Sequence, residues 1–314
     1  MTAAGPGAAW PAIPLAEWQD TRDTLHLWTQ IVGKTRLALA PMVNHWWNVP
    51  LYVSARGLTT SRMPYQDAGF SVEFDFIDHR LVVRRDDGRT WTTALAPRTV
   101  ADFYRDYMAG LRSIGIDVRI WPVPVELAQP IPFASDTTHA SYDARAAERF
   151  WRALAQTDRL LQIFRGRFIG KSSPVHFFWG SFDLACTRFN GARAPRHPGG
   201  VPGLADWATR EAYSHACISA GWWPGTTGGP VAEAAFYAYA YPEPVGCPTA
   251  PIAPAAGYYQ EQMHEWVLPY EAVRTSADPD GDALDFFQRT YEAAATLGAW
   301  DRAALERTGT PRDS

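Results

Sequence analysis

Two stretches of the chain read alike. His45–Arg56 and His176–Thr187 each open on a histidine, run through consecutive aromatics and superpose without a gap at a constant offset of 131. Arg36 and Arg167 coincide at the same offset. Each stretch follows a segment of helical spacing. Residues 17–40 place Leu25, Trp28, Ile31 and Val32 on one side; residues 143–169, opened by Asp143 as N-cap, place Phe150, Leu154, Leu161 and Phe164 on another. Each half then closes on a similar helix, Val100–Gly115 and Ala283–Gly298. Asp102/Asp285, Phe103/Phe286 and Gly115/Gly298 are identical there, and the glycines stand where a helix C-cap takes a left-handed residue.

Agreement in type, order and spacing predicts a helix–strand–hairpin–helix unit used twice. The expected class is α+β, with antiparallel sheets packed against helices. The expected division is a tail at 1–9, a first pseudo-repeat at 10–135, a second at 136–306 with loop insertions, and a tail at 307–314. A proline-stiffened segment, 121–132, joins the halves. Further strands are expected at 70–79, 80–84 and 90–94, with an Asp87-Gly88 turn, and at 212–219 and 234–241. The second half is about fifty residues longer, in Gly- and Pro-rich loops at Arg193–Gly203, Gly221–Gly229 and Pro242–Ala256.

Composition narrows the function classes. The net charge of −4 and the absence of a basic run argue against nucleic acid. No apolar run approaches the roughly 18–20 residues of a membrane span. The N-terminus lacks the basic and apolar regions of a signal peptide. Three scattered cysteines fit a reducing cytoplasm better than a disulfide framework.

The 14 Trp, 13 Tyr and 15 Phe suggest an aromatic-lined pocket, because such rings on a polar strand face need a cover or a ligand. Strand alternation collects Trp46, Asn48, Tyr52, Arg56, Trp179, Tyr237 and Tyr239 as candidate substrate-binding residues. Asp183, flanked by apolar neighbours with Trp179 on its own face, is the first candidate acid or base. His176 and His215 are candidates for proton transfer, and Glu73 is a second carboxylate beside Asp75. Structural ion pairing with Arg56, Arg84 or Arg188 is the competing reading for Glu73 and Asp75. No cofactor is implied, since no GxGxxG, GxxxxGK[ST] or GxSxG occurs. A metal remains an alternative through His45, His176, His215 and the Glu261/His264 pair, which would share a helix face.

The blocks Asn44–Val53, Phe74–His79, Gly170–Asp183 and Tyr237–Pro244 resemble an uncharacterised bacterial domain family of no assigned activity, over about residues 10–305. The resemblance implies a soluble single-family protein and brings no ligand or catalytic residue. The residues themselves predict an enzyme of hydrolase or lyase type, acting on a small polar or sugar-like substrate by carboxylate and histidine acid–base chemistry. The alternatives are a non-catalytic binder of small molecules and a metal-dependent enzyme.

Overall fold

The computed structural model describes residues 9–201 and 203–307, so the two expected tails lie almost wholly outside it. Seven helices are described: α1 (Gln19–Leu39), α2 (Val100–Ser113), α3 (Ala144–Gly166), α4 (Asp206–Ala212), α5 (Tyr270–Arg274), α6 (Pro279–Leu297) and α7 (Arg302–Leu305). Two antiparallel sheets accompany them. The first runs in the order β1 (Tyr52–Val53), β2 (Gly57–Thr59), β4 (Ala68–Asp75), β5 (Arg80–Arg85), β6 (Thr90–Ala94), with β3 (Met63–Tyr65) on β4. The second runs β12 (Tyr258–Gln260), β13 (Glu265–Pro269), β11 (Ala235–Tyr241), β10 (His215–Trp223), β9 (Asp183–Arg193), β7 (Lys171–Ser172), with β8 (His176–Phe178) on β9. The protein is α+β with antiparallel sheets, as the sequence predicts.

The helices form where their caps and apolar rows dictate. Asp143 accepts from the amides of Arg145 and Ala146, and Thr99 from that of Asp102. After α2, Gly115 takes the left-handed conformation expected of it, with φ of 79°. Gly298 does not: its φ is −81°, and the left-handed residue is Ala299.

Each half contains a long helix, a sheet and a closing helix, but the matched aromatic stretches are not equivalent strands. His45–Arg56 begins as a 3-10 turn, Asn44–Trp46, in which His45 and Trp46 both have positive φ. Only Tyr52–Val53 is strand. His176–Thr187 is instead two strands, β8 and β9, folded about a turn at 179–182. The two stretches meet: Leu51 and Phe177 pair as an isolated antiparallel bridge.

One hydrophobic core runs through both halves, from Trp10 to Ala295. Helix α1 lies within it and is buried over most of its length, including Arg22, His26, Gln30 and Lys34. These four recur every fourth residue and so form a polar row along one side of the helix.

Candidate functional site

The second sheet has two unlike faces. Leu184, Cys186, Ile218, Ala220, Trp222, Phe236 and Ala238 are buried toward α3 and α6, where Trp222 meets Phe150 and Phe236 meets Phe287, with ring centroids 6.0 and 5.7 Å apart. The opposite face carries Asp183 and Thr187 of β9, Ser219 and Gly221 of β10, and Tyr237 and Tyr239 of β11, placed side by side by the register Thr187↔Ser219↔Tyr239 and Ala185↔Gly221↔Tyr237. Gly221 has a steric role. A methyl group there would strike the Leu184 carbonyl and the Tyr237 ring, which lies across it.

Asp183 is the polar centre of this face and only 8% exposed. The Ser181 hydroxyl donates to Oδ1 at 2.6 Å, and the Tyr237 hydroxyl donates to Oδ2. Tyr237 stacks on Tyr239, and the Tyr213 hydroxyl donates to that of Tyr239 at 3.0 Å. Burial raises the Asp183 carboxyl above the usual range, and the Ser181 and Tyr237 hydrogen bonds oppose that shift.

Two more carboxylates feel its charge. Glu126 is brought in by the inter-half segment. Its amide donates to the Gly203 carbonyl at 3.0 Å, and Val125 beside it exchanges hydrogen bonds with the Gln30 amide of α1. Burial, then the Asp183 charge, pushes the Glu126 carboxyl up to about 7, against a hydrogen bond from Ser181. Glu265, at the start of β13, is pushed up to about 8 by burial and by Asp183. None of the three makes an ion pair among the described residues. Carboxyls raised toward neutrality can hold or release a proton at physiological pH.

The polar row of α1 meets the turn at 179–182 that leads into Asp183. His26 Nε2 meets the Gly180 carbonyl at 2.8 Å. Lys34 is 3% exposed, and its ammonium stands 5.6 Å from the Trp179 ring centroid and makes no salt bridge with any described residue. Desolvation draws the amine down to about 8.

Of the residues singled out from sequence, Asp183, Tyr237 and Tyr239 come together. His176 shares their sheet face, pairing with Ala185 on β9. It is 1% exposed among the rings of Trp47, Tyr52 and Phe178, and neither ring nitrogen has a hydrogen-bond partner among the described residues. Burial, with Arg36 and Arg165 adding, lowers it to about 3, so it is neutral. His45 and His215 meet edge to face at 5.5 Å, with Phe189 against His45.

The others stand elsewhere. Arg56 pairs with Asp75 and Asp78 at 2.7 and 2.8 Å, and Glu73 takes Ser54 and Arg84 at 2.8 and 3.0 Å, all on the first sheet. These are the structural ion pairs weighed as the competing reading. Trp46 packs on Trp207 and donates to Ala208, whereas Trp179 donates to Val49. Asn48 accepts from the Val43 amide and Tyr52 lies under the Arg36 guanidinium. Glu261 and His264 are not on a helix but in the turn between β12 and β13, where His264 meets Glu243 at 2.9 Å. Among the described residues no group of three or more His, Cys, Asp or Glu is placed to hold a metal ion.

Sequence reasoning missed Glu126, Glu265, Ser181 and Lys34. Glu265 had a signal, since it opens a short apolar run, Trp266–Leu268, that follows a polar turn. Glu126 had none within its proline-rich segment.

Compared with known proteins, residues 10–307 match a family of unknown function, DUF5996. The chain belongs to that family. No curated protein and no solved structure matches this DUF5996 chain. No helix among the described residues is long and apolar enough to cross a membrane.

Proposed function

We propose that the protein is an enzyme that moves protons on a small polar, hydroxyl-bearing substrate, with Asp183, Glu126 and Glu265 as its acid–base groups. The observation carrying this reading is that two carboxyls, Glu126 and Glu265, each lie within electrostatic reach of Asp183, with no ion-pairing cation among the described residues and two hydroxyls bonded to Asp183. Like charges so placed do not all ionise near neutrality, and the set shares protons. Asp183, steadied by Ser181 and Tyr237, suits the base. Glu126 and Glu265, protonated near neutrality, suit the acid. The Tyr237 and Tyr239 rings supply an apolar wall for a sugar-like ring. The reaction class is hydrolysis or elimination.

The test is turnover of a panel of small glycosides and hydroxy acids by the wild type and by Asp183→Asn, Glu126→Gln and Glu265→Gln, with binding followed separately. Loss of turnover by about 10²-fold or more in Asp183→Asn, with binding kept, supports the proposal. Turnover indifferent to all three changes overturns it. Binding of panel compounds at this face without turnover by the wild type favours the non-catalytic reading instead.

A further inference from the structure

A second feature lies at the other end of β9. Lys171 of β7 pairs with Phe189, six residues beyond Asp183 and therefore roughly 20 Å along the strand. There the last turn of α3, the edge strand β7 and the segment after α7 border an open cavity of about 360 Å³ whose lining includes Gln162, Arg165, Gly166, Lys171, Ser172 and Arg307.

Three cations meet in this cavity. Arg165 spends Nε on the Ser173 carbonyl at 2.7 Å, and Arg307 spends Nε on the Gly166 carbonyl at 3.1 Å. The backbone of Arg307 is fixed as well, its amide donating to the Arg167 carbonyl at 3.0 Å. Both guanidinium groups are thus anchored by one edge, and their terminal nitrogens make no hydrogen bond or ion pair with any described residue. Lys171 is exposed and likewise makes no ion pair among the described residues. Cations near a helix C-terminus do answer its dipole. Among the described residues, however, the Gly166 carbonyl is answered by Nε of Arg307 alone. Of the carboxylates adjacent in sequence, Glu306 is paired with Arg302 at 2.5 Å, and Asp158 accepts from the lining residue Gln162 at 3.3 Å, neither making an ion pair with the three cations among the described residues. Three convergent cations in a chain of net charge −4 repel one another unless an anion joins them.

We infer that this cavity binds a phosphate group carried on a small molecule, with Arg165, Lys171 and Arg307 on its oxygens. Guanidinium groups held by one edge present their remaining N–H groups in the fork that matches a phosphate. The volume admits more than the phosphate itself. The site shares no residue with the carboxylate face and stands independently of the function proposed for it.

The experiment is titration of the full chain with inorganic phosphate, followed by calorimetry and phosphorus NMR at ionic strength matched with chloride, beside a parallel titration with acetate. Saturable phosphate binding is expected. It should weaken about tenfold or more in Lys171→Met and in Arg307→Met, because each removes a charge-assisted contact. Arg289→Met, an exposed change on α6, should leave it unchanged. Three results would each overturn the assignment: no binding above the chloride background, equal weakening by Arg289→Met, or acetate binding as tightly as phosphate. Lys171 is exposed, so its variant is expected to fold, and circular dichroism checks this.

Discussion

Leu51 and Phe177 exchange both of their backbone hydrogen bonds, each at 2.9 Å, and so lace the edge of the first sheet to the second. With one core shared by both halves, the protein should unfold as a unit. Far-ultraviolet and near-ultraviolet circular dichroism should give coincident thermal midpoints. Residues 10–135 expressed alone should lack a cooperative transition, since α1 would lose Trp179 and the turn at 179–182. A separate, cooperative first half would contradict this.

Lys34→Met should raise stability at pH 7 by roughly 1–3 kcal/mol. The folded amine is drawn down to about 8 from 10.5, so charging it opposes folding at any pH below that window. Between pH 8 and 10.5 the unfolded chain holds the extra proton, and wild-type stability climbs with pH. The gain from the substitution should therefore fade by pH 10.5. Urea melts of both proteins at pH 7, 9 and 10.5 measure it.

Glu265→Gln should flatten the pH dependence on the acid side of that range. The folded carboxyl is raised from 4.5 to about 8, so the folded protein binds the extra proton between those values. Its contribution is complete below pH 4.5 and is lost as pH rises toward 8. Allowing for partial exposure, the variant should match the wild type near pH 5 and exceed it by roughly 1–2 kcal/mol at pH 8. Melting curves across that interval decide, and a difference that grows toward low pH would refute the assignment.

Gly221→Ala should cost roughly 1–3 kcal/mol, because the added methyl has no room against the Leu184 carbonyl. It should also push the Tyr237 hydroxyl off Asp183. Thermal denaturation reads the first effect. Ultraviolet titration of the tyrosines reads the second, through a Tyr237 that ionises more easily once its carboxylate neighbour is withdrawn. An unchanged titration would show that Tyr237 keeps its place.

Much of the fold was legible because helices and regular strands announce themselves locally. Asp143, the apolar row of α3 and the alternation of Phe70, Val72 and Phe74 in β4 carry their structure in their own spacing. The aromatic stretch His45–Arg56 did not, because its rings are fixed by distant partners, Trp46 by Ala208 and His45 by Ala212. A strand-like composition was overridden by tertiary contacts. The site was half legible for the same reason. Asp183, Tyr237 and Tyr239 lie on strands whose parity can be counted, whereas Glu126 arrives on an irregular segment that only the folded backbone positions.

The row of Arg22, His26, Gln30 and Lys34 has a further consequence for α1. Rotating that helix, or sliding it by a turn, would bring each of these groups against hydrocarbon and strip His26 and Gln30 of their acceptors. A fully greasy helix would seat in several ways, but this one is keyed to a single angle and a single height. The shape of everything resting on it, the turn that leads into Asp183 included, is inherited from that one fit.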